Sequence, residues 1–324
     1  MPALLADIGK VPRHAYPFLW ADYVELLCLT SQNGLVSKGN LEAQTQEAAD
    51  TQTDSDEDQT GSEESEELDD RISQRWADIH ARLTARSKQY VDWPFTLEKK
   101  LVRSRYDGKN PRHRLYLALL VASSLRLCEG VRTKEVTSAF EEISFHWLQR
   151  SLNPLWEVRP FGAHQTLPNA YTQSKLLDKL KALALDLKAR LQKADEEYDP
   201  QNTGDGGIDL VAWLKMGDQR GNIPVIFGQC ACSPTDWEDK QLDVTPAATE
   251  AHIAPQHPGA AYCFVPHDLS ANDKLWDRSE HVKRTVIVDR IRLFRLFESL
   301  NAFDSLPTWG FVDDAASTKA TLAT

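Results

Sequence analysis

A chain of 324 residues exceeds one ordinary domain, and 41% apolar content with nine tryptophans and eleven phenylalanines excludes a disordered or collagen-like polymer. No run of eighteen apolar residues is present, and Met1 to Lys10 lacks the pattern of a signal peptide, so the expectation is a cytoplasmic protein with no membrane partner. The net charge of −11 argues against a nucleic-acid partner only until it is located: thirteen acidic residues and no lysine or arginine fall between Leu41 and Asp70, leaving 35 acidic against 37 basic residues elsewhere.

Residues 1–36 read as an arm, in which Phe18, Leu19, Tyr23, Leu26 and Leu27 predict a helix over Pro17–Leu29 that docks onto the body. Residues 37–70, rich in Gln, Thr, Ser, Asp and Glu, read as an acidic disordered linker, because such a block repels itself and has almost nothing to bury. A functional alternative is that the block mimics nucleic acid over a basic groove. Residues 71–130 form an expected helical region. Ile72, Trp76, Ile79 and Leu83 mark an amphipathic helix over Leu68–Val91, and a second helix runs from Arg114 to Cys128 and ends at Glu129-Gly130. Between them Lys99, Lys100, Arg103, Arg105, Lys109, Arg112 and Arg114 surround one Asp107, a composition that suits a phosphate backbone or an ordinary solvated loop.

Residues 131–304 change texture. Thr133 caps a predicted helix through Val136, Phe140, Ile143, Trp147 and Leu148, closed by Asn153-Pro154 and followed by a strand over Leu155–Arg159. Leu176, Leu177, Leu180, Leu183, Leu187 and Leu191 predict one long helix over Ser174–Glu197. Ile208–Leu214 and Pro224–Cys232, joined by the polar turn Met216–Asn222, predict a β-hairpin. A short helix over Pro234–Leu242, a strand over Ala261–Pro266 and a strand-to-helix element over Arg284–Leu300 complete the domain, and residues 305–324 read as a tail that frays from Asp313.

The order helix, strand, inserted helix, strand, strand, helix, strand resembles the αβββαβ core of the PD-(D/E)XK, restriction-endonuclease-like nucleases. Gly204-Asp205-Gly206-Gly207-Ile208-Asp209-Leu210 is similar to the G-x-G-[ILV]-D-[ILV] strand of the Mrr-like branch, and Val225-Ile226-Phe227-Gly228-Gln229-Cys230-Ala231 to its strand ending in Q-x-K. The fold class so implied is α/β: a restriction-endonuclease-like core with a helical N-terminal region and an inserted long helix. The departure is Ala231, which stands where the lysine belongs. In some members the lysine moves to the following helix, and here that position is matched by Lys240, three residues from Trp237 on one helix face.

The chemistry explains why such residues would gather. Phosphodiester hydrolysis needs a hard cation to acidify the attacking water and neutralise charge building on phosphate, and oxygen ligands suit that cation. Mg²⁺, with Mn²⁺ able to substitute, is the implied cofactor. Asp209 and, from the first helix, Glu141 of the pair Phe140-Glu141 are the expected ligands; Gln229 would align water and Lys240 would serve as the catalytic cation. Gly206 and Gly207 admit a phosphate backbone, and Lys99, Lys100, Arg103 and Arg105 are the candidate substrate contacts. The five cysteines read as reduced thiols, Cys230-x-Cys232 lacks a second pair for zinc, and His267 is the histidine expected nearest the cleft.

The expected function is a metal-dependent DNA endonuclease, of a kind that often serves in bacterial defence against phage. The glycine-rich turn carries no P-loop motif, so any ATPase or helicase motor would be a separate subunit, and double-strand cutting, which needs two active sites, makes a homodimer the natural assembly. The alternative is a catalytically inactive nuclease fold that binds DNA or a partner protein.

Overall fold

The computed structural model describes residues 4–320 apart from 7, 15, 51–62, 100, 163–166, 168–169 and 273–274; of residues 48–50 and 63–71 it describes the backbone alone. In chain order the elements are α1 (Pro17–Thr30), β1 (Leu35–Ser37), α2 (Lys38–Asp50), α3 (Glu63–Gln89), β2 (Phe95–Glu98), β3 (Leu101–Ser104) and α4 (Pro111–Ala122). Next come α5 (Thr133–Ser151), β4 (Trp156–Pro160), α6 (Leu176–Leu187), β5 (Arg190–Leu191), β6 (Leu210–Leu214), β7 (Val225–Cys230), α7 (Trp237–Lys240), α8 (Pro246–Thr249) and β8 (Ile253–Ala254). The last are β9 (Ala260–Phe264), β10 (Ser270–Asn272), β11 (Leu275–Trp276), β12 (Val286–Val288), α9 (Arg290–Ser299) and α10 (Gly310–Ser317). The fold is mixed α/β. Among the described residues no helix is long and apolar enough to cross a membrane.

The chain divides into two compact units. One comprises Met1–Val136, His267–Asp277 and Phe303–Thr324; the other comprises Thr137–Pro266 and Arg278–Ala302. The first unit is built on α1. This helix is apolar on nearly every side, so an interior is the only place for it, and every residue from Phe18 to Thr30 is buried. It packs against α3, α4, α10 and the sheet β1-β3-β2. The expected docking arm is therefore the central helix of this unit.

Its two carboxylates are buried with it. Arg86, on α3, lies 2.7 Å from Asp22 Oδ1, 2.9 Å from Glu25 Oε2 and 3.2 Å from Asp268 Oδ2, all with fully buried side chains. Tyr116 donates to Glu25, Ser123 to Asp22 and Tyr90 to Asp268. Although burial works to lower it, Glu25, Asp22, Tyr116 and Asp268 together hold the Arg86 guanidinium well above its ordinary pKa.

Three segments of this unit differ from expectation. The block expected as a disordered linker is helical over Lys38–Asp50 and again from Glu63, while its middle, 51–62, lies outside the described residues. Ser37 and Asn40 tie the entry to α2, Oγ to Oδ1 at 2.8 Å, and Leu41 inserts fully into the core. The basic stretch begins as a hairpin of β2 and β3, turned at Lys99 with φ +50°, rather than as a loop. The tail carries α10, held by the buried Phe311, Val312 and Ala315.

The second unit holds a mixed five-stranded sheet in the order β12-β9-β7-β6-β4. β4, β6 and β7 form an antiparallel meander, while β7, β9 and β12 run parallel. The leucine stripe of α6 packs with Val211, Phe227 and Ala261, all from one face of the sheet. The long helix expected over Ser174–Glu197 stops at Leu187, where Lys188 turns left-handed at φ +54°. Leu191 then pairs with Ile253 in β5 and β8. A leucine spacing that suits a helix is here continued by a strand.

Candidate functional site

The site gathers where β6 begins and β7 ends. Asp209 immediately precedes β6, and its N–H donates to Gly228 O at 2.9 Å. Extending the pairing of Leu210 with Gly228 by one step sets Asp209 opposite Gln229, so both side chains project from the same sheet face. Gln229 pairs onward with Cys263 on β9. Asp209 is only 7% exposed and Gln229 5%.

Local backbone fixes the carboxylate. Cys230 N–H donates to Asp209 Oδ2 at 2.7 Å, and the N–H groups of Phe161 and Gly162 donate to the Asp209 carbonyl at 2.7 and 3.1 Å. A Cβ on Gly162 would stand 2.8 Å from Asp209 Oδ1, so this glycine is what lets the chain pass so close. The turn before Asp209 uses Gly206 and Gly207 at φ +65° and +80°. A Cβ on Gly207 would meet Asp243 Cβ at 2.7 Å. Asp205 Oδ1 accepts from Gly207 N–H at 2.9 Å, a turn-forming bond.

The carboxylates are compensated only in part. Burial, then the charges of Glu141 and Asp205, push the Asp209 carboxyl well above the usual range, against smaller opposing effects of the Cys230 N–H and Lys240. Burial and Asp205 likewise push Glu141 up to about 7. Asp243 is raised by burial and by Asp205 and Asp239, with Lys240 opposing. Glu141, Asp205, Asp209, Asp243 and Lys240 thus share one electrostatic neighbourhood. The Cys230 and Cys232 thiols are pushed far up, first by burial and then by Asp209 and Glu141, which keeps them protonated and unsuited to a thiolate zinc site.

Gln229 contributes a buried oxygen: among the described residues its Oε1 has no hydrogen-bond partner, while Nε2 donates to Cys230 O at 3.3 Å. Such an orphan is costly unless something fills the role. Two carboxylates and an amide oxygen form a hard-oxygen set whose chemistry fits a divalent cation. Among the described residues no group of three or more His, Cys, Asp or Glu is assembled to hold a metal; the candidate ligands are the carboxylates of Asp209 and Glu141, with the Gln229 amide opposite Asp209.

Lys240 ends the one-turn helix α7, which Trp237 anchors at 3% exposure; its side chain is 49% exposed and its Nζ lies 3.9 Å from Asp243 Oδ2. Ala231 is buried. The remaining expected substrate contacts lie in the other unit. Lys99 and Arg105 are exposed there, Arg103 is engaged by Glu98 at 2.9 Å, and Lys100 lies outside the described residues. His267 belongs to that unit, where it is fully buried with its ring 5.5 Å from that of Phe18. The histidine beside the glycine turn is His252, whose ring stands 3.5 Å from where a Gly206 Cβ would be.

Two residues that touch the glycine turn or Asp209 fall outside the motifs read from sequence: Lys179, whose Nζ donates to Gly204 O at 3.4 Å, and Gly162. Lys179 has a legible signal, since it occupies a position of the α6 apolar stripe between Leu176 and Leu180. Gly162 has none, because its role depends on which strand comes to lie beside it. No family model, curated protein or solved structure matches the chain.

Proposed function

We propose that the unit formed by Thr137–Pro266 and Arg278–Ala302 is a Mg²⁺-dependent phosphodiesterase of the restriction-endonuclease-like kind, acting on DNA. The observation that carries this reading is the pair Asp209 and Glu141, two carboxylates raised by burial and by neighbouring acids, beside the orphaned Gln229 oxygen. The succession α5, β4, β6, β7, α7, β9, with α6 inserted, supports the αβββαβ comparison.

Asp209 and Glu141 would hold the cation, which when bound acidifies a water and offsets charge on the phosphate. Gln229 Oε1 would accept from that water and orient it. The glycine turn admits the phosphodiester backbone, and Lys240, half exposed, brings an ammonium to the departing charge. Lys99 and Arg105 are candidates for phosphate contacts of their own unit.

The test is cleavage of supercoiled plasmid and a single-stranded oligonucleotide by the purified chain with Mg²⁺ or Mn²⁺, with an EDTA control and Asp209→Ala. Metal-dependent cutting that vanishes in the variant is the expected result. Cutting that survives Asp209→Ala sinks the assignment. The second reading, an inactive nuclease fold that binds DNA or a partner protein, is favoured by the buried Ala231 in place of the lysine; it predicts DNA retention without cutting under every metal condition.

A further inference from the structure

The helix α7 is a single turn, too short to be stable without outside support. Gln241, the residue that follows it, supplies that support. Its side chain is fully buried and engaged at both ends of the amide: Nε2 donates to Glu238 O at 2.8 Å and to His281 O at 2.7 Å, and Oε1 accepts from the Lys283 N–H at 3.0 Å. The Gln241 carbonyl accepts from Thr285 Oγ1 at 2.8 Å. These bonds join α7 to residues 281–285, which lead into β12. That strand belongs to the sheet that carries the site, since Ile287 pairs with Cys263 and Cys263 pairs with Gln229. Every residue of the clamp lies in the second unit.

Lys240 is the residue next to this clamp. Its charge acts on both Asp209 and Asp243, its Nζ lies 3.9 Å from Asp243 Oδ2, and Asp243 abuts the glycine turn at Gly207. The Lys240 side chain is half exposed, so its own packing gives it little direction, and the reach of the ammonium follows from where the backbone stands.

We propose that Gln241 is a positioning residue: by tying α7 to residues 281–285 it fixes the Lys240 backbone relative to Asp209 and Gln229, and so aims the ammonium at the candidate site. The inference rests on the nuclease reading above, in which Lys240 is the catalytic cation. It makes a demand that a merely structural glutamine does not. The effect of losing Gln241 on cleavage passes through Lys240 and vanishes once Lys240 is gone. The carboxylates, carried by other elements, keep their affinity for the cation.

The experiment compares plasmid cleavage kinetics with Mg²⁺ for wild type, Gln241→Met, Lys240→Ala and the double variant, alongside Mn²⁺ affinity read from the electron paramagnetic resonance signal of the free ion. Gln241→Met is expected to lower kcat about tenfold while KM and Mn²⁺ affinity stay within about twofold of wild type, and to cause no further loss in the Lys240→Ala background. A folded Gln241→Met with wild-type kcat, or a loss that multiplies with that of Lys240→Ala, overturns the inference while leaving the metal site standing. So does a fully active Lys240→Ala. Absence of metal-dependent cutting in wild type overturns the nuclease reading and this inference together. If Gln241→Met does not fold, Thr285→Val, which removes the hydroxyl that donates to Gln241 O, carries the same pattern at smaller size.

Discussion

Each unit buries a cluster of charges, and the two clusters differ in how the charges are answered. In the first unit Arg86 meets Asp22, Glu25 and Asp268 at hydrogen-bonding distances, and tyrosine and serine hydroxyls occupy further carboxylate oxygens. In the second, Asp209 and Glu141 are raised by other carboxylates, and among the described residues Gln229 Oε1 has no hydrogen-bond partner and Lys179 forms no ion pair. The first arrangement locks helices together. The second leaves its charges unanswered, and the contrast separates a structural cluster from a candidate site better than burial does.

Removing one member from each cluster puts this contrast at greatest risk. Arg86→Met should cost about 3–5 kcal/mol, because it strands buried carboxylates. Asp209→Asn should leave thermal stability unchanged or raised, since it removes a disfavoured charge. Thermal melts of the two variants check this, and an Arg86→Met chain that melts with wild type would end the distinction.

Next in size is Lys240→Ala, expected to lower metal-dependent cleavage about a hundredfold with little change in melting temperature. Full activity in that variant would leave Lys240 an ordinary surface lysine. A smaller effect follows from Glu141, whose folded pKa of about 7 lies above its ordinary 4.5. The folded chain therefore holds a proton across that interval, so the associated stability is full below about pH 4.5 and is lost as pH rises through about 7. Glu141→Gln should stabilise the metal-free chain by roughly 2 kcal/mol above about pH 7 and not at about pH 4, as denaturant titrations at the two pH values would show. A pH-independent difference would contradict the assignment.

The smallest is Gly162→Ala. Its Cβ would press on Asp209 Oδ1, and cleavage should fall about tenfold while the fold persists. Unchanged cleavage would mean that the carboxylate can shift without consequence.

Most elements are legible in the sequence because their signals are local. The α1, α3 and α5 helices follow apolar spacing, and the β6–β7 hairpin follows two apolar runs around a polar turn. Asp209 and Gln229 stand out as polar residues inside such runs. The misreadings have physical causes too. Composition conceals α2, whose one buried apolar side chain among the described residues is Leu41, and spacing alone cannot tell that Leu191 belongs to a strand.

The β6–β7 hairpin, the glycine turn and the identity of the residues at its end follow from neighbours along the chain, and so from the order of amino acids alone. That Asp22 and Glu25 are answered by Arg86, that Gly162 makes room for Asp209, and that Lys179 is buried without a paired acid emerge only once the chain has packed. Those facts depend on which distant segments share a dry interior, where a charge costs much or little according to what stands beside it.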